Sequence, residues 1–278
     1  MRPIEDQTIF ISGATDGLGK SVAAELAGSG ATLLLNGRDD RKGADTVREI
    51  RHRTRNARVQ WCRADLSSLR ETAELADRVA GEYGRLDVLV NNAGIGYATS
   101  GAEGRRESRD GYELRFAVNY LAPYLLTRRL VPVLLRSAPA RVVNVASVGQ
   151  AAVDFADVMQ ERDYDGVRAY RQSKLALIMF TFDLAGELAG SGVTANCLHP
   201  ATFMPTKMVT GQIQPQSSLQ EGVLATMRLI VSPALENVTG RYYEGMDEAA
   251  ALGQAYDENA RQRLRELSDQ LTGLVTSR

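Results

Sequence analysis

Residues 12–19 read Ser12-Gly13-Ala14-Thr15-Asp16-Gly17-Leu18-Gly19. The apolar run Thr8 to Ile11 leads straight into them, and Leu18, Val22 and Leu26 follow at helical spacing. The order is strand, glycine turn, helix. Glycine lets a backbone turn tightly and approach a ligand closely. A helix N-terminus behind such a turn favours an anion, and a pyrophosphate fits it well. The spacing G-x-x-x-G-x-G of Gly13, Gly17 and Gly19 therefore reads as a dinucleotide turn, with Thr15, Asp16 and Leu18 between the glycines. It is not a P-loop: Lys20 and Ser21 follow Gly19, but the four-residue gap between glycines is missing.

Outward from this turn, short apolar runs alternate with helical patterns. Ala31 to Leu35, Val59 to Cys62, Leu86 to Val90, Arg141 to Val145 and Gly192 to Leu198 read as further strands. Helices are expected over Asp45 to Arg53, Leu69 to Tyr83, Tyr112 to Arg136 and Ala169 to Leu188. Ser67 or Ser68 caps the second of these, with Glu71 placed for a capping box. The third is expected to bend near Pro123 or Pro132. A densely charged last helix, Asp257 to Leu271, is expected on the surface. Strands buried on both faces read as continuous apolar runs. The expected fold is α/β: one doubly wound parallel β-sheet with helices on both faces, Rossmann-like, formed by residues 1–278 as a single domain. Ala201 to Glu221, rich in Thr, Met, Gln and Pro without clean periodicity, is expected to be a lid over the ligand.

Composition narrows the partners. Of 278 residues, 33 are Lys or Arg and 34 are Asp or Glu, a net charge of -1 that argues against nucleic acid or another polyanion. Cys62 and Cys197 lie far apart and are expected as small buried apolar residues in a reducing cytoplasm. His52 and His199 have no second ligand at metal spacing, so no metal site is expected. The polar N-terminus is no signal peptide, and Leu175 to Phe182 is too short to span a membrane.

The end of the second strand bears on the cofactor. An acidic residue there would suit a ribose 2′-hydroxyl. Here the strand ends Asn36-Gly37-Arg38. A guanidinium suits a 2′-phosphate, and Lys42 adds charge. The reading is NADP(H) in preference to NAD(H), with Asp16, Asp39 and Asp40 as counterweights.

Taken together, Ser12-Gly13-(x3)-Gly17-Leu18-Gly19, Asn91-Asn92-Ala93-Gly94, Asn119, Ser147 and Tyr170-Arg171-Gln172-Ser173-Lys174 resemble the short-chain dehydrogenase/reductase family over nearly the whole chain. Asn36-Gly37-Arg38-Asp39, Asp110-Gly111-Tyr112-Glu113, Leu125-Leu126-Thr127 and Gln172-Ser173-Lys174-Leu175 look most like its retinol-dehydrogenase-like and protochlorophyllide-reductase-like branch. That branch mostly prefers NADP(H). The resemblance implies that Gly13, Gly17, Leu18 and Gly19 line the pyrophosphate and that Asp65 and Leu66 meet the adenine. Asn91, Ala93 and Gly94 follow the adenosine side, with Asn91 also steadying the sheet. His199-Pro200-Ala201 stands where the family has Pro-Gly near the nicotinamide, and either Thr202 or Thr206 contacts the carboxamide. Ser12 and Ala201 depart from the family's usual threonine and glycine. Ser147 and Tyr170 lie 23 positions apart, more than in compact members, so Asp154 to Val167 is expected to rim the pocket. The two long helices are where family members pair into dimers and tetramers, although this branch also contains monomers.

The catalytic set has its own chemistry. Tyr170 and Lys174, four apart in a helix, share one face. A phenol has an ordinary pKa near 10, and bringing it to neutrality takes roughly 4 kcal/mol of differential stabilisation. The Lys174 ammonium and an oxidised nicotinamide supply that charge. Ser147, at a strand's carboxyl end, is placed to hydrogen-bond the substrate oxygen. Asn119 is the family's fourth member, holding the lysine through a water. A bare Tyr-x-x-x-Lys is also an ordinary amphipathic helix face. Its order with the glycine turn, Asn119 and Ser147 selects it, and neither Tyr164 nor Tyr120 repeats the pair. His199 is read as a structural strand-end residue, and Met204 and Met208 as apolar lid residues.

The expected activity is hydride transfer between nicotinamide and a carbonyl/alcohol of a sizeable, partly apolar small molecule. The pocket is expected from 96–109, 150–167 and 201–221. A second reading keeps fold and cofactor but has the site reduce C=N or C=C, epimerise or dehydrate. A third, a non-catalytic NADP(H)-sensing module, is opposed by the intact catalytic set.

Overall fold

The computed structural model describes residues 1–96, 104–206, 209 and 214–274. Its elements run β1 (Thr8–Ile11), α1 (Gly17–Gly28), β2 (Thr32–Gly37), α2 (Asp40–Thr54), β3 (Val59–Arg63), α3 (Leu69–Tyr83) and β4 (Val88–Asn91). The next helical stretch is α4 (Leu114–Phe116), a π turn (Ala117–Leu121) and α5 (Ala122–Ser137). Then come β5 (Ala140–Val145), α6 (Gly166–Glu187), β6 (Val193–His199), α7 (Leu219–Val231), β7 (Tyr242–Glu244), β8 (Asp247–Ala249) and α8 (Glu258–Thr272).

The strands form one sheet in the order β3-β2-β1-β4-β5-β6-β7-β8. Neighbours pair in parallel from β3 to β7, and β8 adds an antiparallel edge. The chain moves outward from β1 to β3, then crosses back to lay β4 against the other side of β1. A cleft opens at such a reversal, beyond the strands' carboxyl ends. Alternating residues divide the core: Phe10, Leu34, Leu89 and Val142 face α3, α5 and α6, while Ile9, Ile11, Leu33, Leu35 and Val90 face α1, α2 and α7.

Several boundaries differ from the sequence reading. Ser68, not Ser67, caps α3 through the Glu71 amide. Glu71 completes no capping box, because its carboxylate accepts from Arg63 Nη1 and the Asp65 amide, both at 2.9 Å. A capping box does form at Ser218 and Glu221, opening α7. The expected proline bend is a π turn over 117–121, just ahead of Pro123. Pro123 has no N–H to give the Asn119 carbonyl four residues back, so the α-helical ladder is broken there. α8 is amphipathic and not wholly superficial: Leu264 and Ser268 are buried. Its Ser268 hydroxyl meets Tyr120 Oη at 2.6 Å, and Asp269 accepts from Tyr124 Oη at 2.7 Å.

Candidate active site

A cavity of about 840 Å³ follows the carboxyl edge of the sheet. Its lining runs from Arg38 after β2, past the β1 turn and Ala93 after β4, to Ser147 after β5 and His199 at the end of β6.

The turn is built around absent side chains. Gly13 has φ +65°, and a Cβ there would stand 2.8 Å from the Ala93 Cα. A Cβ at Gly19 would stand 2.5 Å from the Gly13 carbonyl oxygen. Asn92 pins this arrangement, donating from Nδ2 to the carbonyls of Ser12 (2.9 Å) and Gly13 (3.1 Å). The Ser12 hydroxyl accepts the amides of Asn92 and Ala93, both at 3.0 Å, and ties the ends of β1 and β4 together. Thr15, Asp16, Gly17, Leu18 and Gly19 all line the cavity, and Asp16 caps α1 by accepting from the Gly17 amide.

At the β2 end, Arg38 lines the cavity and has no ion pair among the described residues. The two acids beyond it are engaged elsewhere: Asp39 caps α2, and Asp40 accepts from Trp61 Nε1 at 2.9 Å. Lys42 does not line the cavity; its ammonium lies 3.9 Å from Asp39. The second cation at this end is Arg109, 3.7 Å from the Asp65 carboxylate. Burial would raise the Asp65 pKa, but hydrogen bonds from the Ser67 amide and hydroxyl and the charges of Arg38 and Arg109 hold it below its ordinary value. Asp65, Leu66, Ala93 and Gly94 line the cavity.

Asn91 does not line the cavity. It lies beneath the cavity and donates from Nδ2 to Asn144 Oδ1 (2.8 Å) and Thr127 Oγ1 (2.9 Å), stitching β4 to β5 and α5. Successive strand residues point to opposite faces, so the neighbour of a cavity residue is turned away. Asn92, which the sequence reading passed over, takes that place.

At the β5 end, Ser147, Tyr170 and Lys174 converge. A Cβ at Gly149 would lie 3.4 Å from Ser147 Oγ and 3.7 Å from Tyr170 Cε1, so both side chains flank that glycine. The Ser147 hydroxyl accepts the Gly149 amide at 3.0 Å. Lys174 Nζ donates to the Val145 carbonyl at 2.8 Å and sits 5.9 Å from the centre of the Tyr170 ring. Burial pulls its pKa down to about 8. The Asn119 side chain lies outside the lining, fully buried. It accepts the Ile95 amide at 2.7 Å and donates to Ser173 Oγ at 3.0 Å.

Beyond β6, Pro200, Ala201, Thr202, Phe203, Met204, Thr206 and Val209 also line the cavity. Thr202 is the threonine beside His199, its Oγ1 3.0 Å from Nε2. Thr206 instead lies against Gly17. Burial, with the charge of Lys174, pushes the His199 pKa down to about 4, so the imidazole is neutral at pH 7. Met208, and the parts of 96–109 and 201–221 at 97–103, 207–208 and 210–213, lie outside the described residues.

The 154–167 segment does not rim the cavity among the described residues. It is held elsewhere: Gln172 Nε2 donates to the Val158 carbonyl at 2.8 Å, and Tyr164 Oη donates to the buried Glu113 at 3.1 Å. Its polar groups find partners on α6 and α4, and these turn it away from the cleft.

This is an α/β architecture with a nucleotide-type cleft and a tyrosine–lysine pair. The family model described as short chain dehydrogenase matches residues 7–217. Retinol dehydrogenase 13 of Mus musculus is 38% identical, over 98% of this chain and 85% of the relative. Polyprenol dehydrogenase of Homo sapiens is 32% identical, over 98% and 87%. Among solved structures, an uncharacterized protein from Mycobacterium paratuberculosis superposes with a TM-score of 0.78 at 27% identity, covering 96% of this chain and 94% of that one. A short chain dehydrogenase from Escherichia coli complexed with NADPH gives a TM-score of 0.70 at 25% identity, covering 87% and 97%. The chain belongs to the short-chain dehydrogenase/reductase family, as an oxidoreductase of its retinol-dehydrogenase-like branch. The family uses a nicotinamide cofactor and acts on small molecules. No described helix is long and apolar enough to cross a membrane.

Proposed function

We propose that this chain is an NADP(H)-dependent oxidoreductase of class EC 1.1.1.-, acting on the carbonyl/alcohol pair of a medium-sized, partly apolar molecule. The observation that carries the reading is one continuous cavity with Arg38 and the glycine turn along one stretch and Ser147, Tyr170 and Lys174 along another. The retinol and polyprenol named for its relatives are apolar alcohols, which supports the substrate class.

The residues fit the cofactor. The backbone at Gly13 and Gly19 packs too closely on Ala93, Asn92 and the Gly13 carbonyl to admit a Cβ, and the bare-backbone turn this leaves along the cavity is the cradle a pyrophosphate needs. Arg38, which has no ion pair among the described residues, is the cation for a 2′-phosphate. Asp65 and Leu66 hold adenine, Ala93 and Gly94 the adenosine side, and Pro200 and Thr202 the nicotinamide end. Bound there, the nicotinamide supplies or accepts the hydride.

The chain's own groups handle the proton. Tyr170 gives its phenolic proton to the substrate oxygen in reduction and takes it back in oxidation. Lys174, held by the Val145 carbonyl, favours the phenolate. Ser147 uses one lone pair on the Gly149 amide, which leaves its hydrogen available to the substrate oxygen. The Asn119 side chain is engaged by Ile95 and Ser173, so Asn119 serves the proton relay through its main chain.

We further propose that the described part of the 201–221 stretch lining the cavity, 201–204 with Thr206 and Val209, closes over the ligand and that the protein works in a reducing, cytoplasmic setting, where the buried thiols of Cys62 and Cys197 stay free. The test is Tyr170→Phe, assayed for NADPH consumption over aldehydes and ketones. Undiminished turnover overturns the assignment, and a product lacking the two added hydrogens overturns the reaction type.

A further inference from the structure

The Ser147 hydroxyl is only as well aimed as its backbone, and that backbone is held from a distant part of the chain. Tyr242, in β7, has a ring only 1% exposed. Its hydroxyl donates to the main-chain carbonyl of Ser147 at 3.2 Å, sharing its hydrogen with Glu244 Oε1 at 3.3 Å. Gln150 Nε2 donates to the same carbonyl, also at 3.2 Å. Gln150 in turn accepts the Leu252 amide at 2.7 Å. Val153 and Gln254 exchange two more hydrogen bonds, at 2.7 and 3.2 Å. The loop behind β5 is thus laced to β7 and to the segment that follows β8.

Two donors on one carbonyl occupy both its lone pairs and fix the plane of the 147–148 peptide. That plane sets the direction in which the serine side chain leaves the backbone. Burial, with the charge of Glu244, raises the Tyr242 pKa well above its ordinary value, so the phenol keeps its proton and remains a donor. The register of β7 on β6, Tyr242 opposite Cys197, puts this ring on the side of the sheet that α6 covers.

We propose that Tyr242, assisted by Gln150, is a positioning residue for Ser147, so that strand β7 sets the aim of the serine hydroxyl. The inference rests on the role given to Ser147 under Proposed function. It differs from a packing role because its effect must pass through the serine.

The experiment is a double-mutant cycle on the full chain with Tyr242→Phe, Ser147→Ala and both together. It reads kcat at saturating NADPH, the NADPH dissociation constant by fluorescence, and the melting temperature. Tyr242→Phe is expected to lower kcat about fivefold, the scale of one neutral hydrogen bond, with NADPH binding unchanged. In the Ser147→Ala background the same change is expected to cost less than twofold. An equal loss in both backgrounds, or no loss in the first, overturns the inference alone. Full activity in Ser147→Ala overturns the serine's role and the inference with it. Gln150→Met, which removes the other donor, is expected to show the same dependence on Ser147 and decides the matter if Tyr242→Phe does not fold.

Discussion

Lys174 holds its ammonium nitrogen 5.9 Å from the centre of the Tyr170 ring, wholly buried and anchored on the Val145 carbonyl. The tyrosine faces a charge that water barely screens. Tyr170→Phe removes the proposed proton donor and leaves that charge in place. Turnover is expected to fall by about 10²- to 10⁴-fold, the usual range for a general acid. NADPH titration by fluorescence is expected to show unchanged binding.

The same burial gives Lys174 a signature in stability. Its pKa is about 8 in the fold against an ordinary value of 10.5. Between those values the unfolded chain holds more protons than the folded one, so stability rises with pH across that window. Below about pH 8 both states are protonated and the dependence vanishes. Lys174→Met is expected to remove the rise. Urea midpoints of both proteins at pH 7, 8, 9 and 10 check it: the wild type gains on the variant only above pH 8.

Arg38 predicts a preference that needs no turnover. Wild-type protein is expected to bind 2′,5′-ADP more tightly than 5′-AMP in calorimetry. Arg38→Ala is expected to erase at least about tenfold of that preference, the scale of a charge-assisted hydrogen bond. Lys42→Ala is expected to change it little, because that ammonium neighbours Asp39 outside the cavity.

Gly13 tests the cradle. An alanine there meets both a φ of +65° and a backbone atom at 2.8 Å. Gly13→Ala is expected to destabilise the fold by about 1–3 kcal/mol and to weaken NADPH binding as Ala93 is pushed aside. Denaturant unfolding and cofactor titration measure the two effects separately.

Much of this was legible in the chain because local pattern carries it. The glycine turn, the apolar runs of β1 to β6 and the pairing of Tyr170 with Lys174 are short-range signals. What escaped is long-range. Residues 242–249 are too few and too polar to announce two strands, and they exist only because β6 offers an edge. Asn91 and Asn92 are chemically alike, and only the alternation of a strand's end decides which one sees the cavity. Arg109 reaches Asp65 from 44 positions away, and no spacing rule anticipates that. Asp154 to Val167 looked like a rim by its length, but Glu113 and Gln172 draw its polar groups elsewhere.

The π turn at 117–121 has a consequence for how the chain tolerates change. It carries one residue more than an α-helical turn and so acts as a phase shift. Ahead of it the helix presents Phe116 to the core; within and behind it, Asn119 faces Ile95 while Tyr120 and Tyr124 meet α8. Deleting any one residue of the turn would remove the extra residue and rotate everything beyond by about 100° relative to everything before. Substitutions here are point changes, but a single-codon deletion is a change of gear for the whole length of α5.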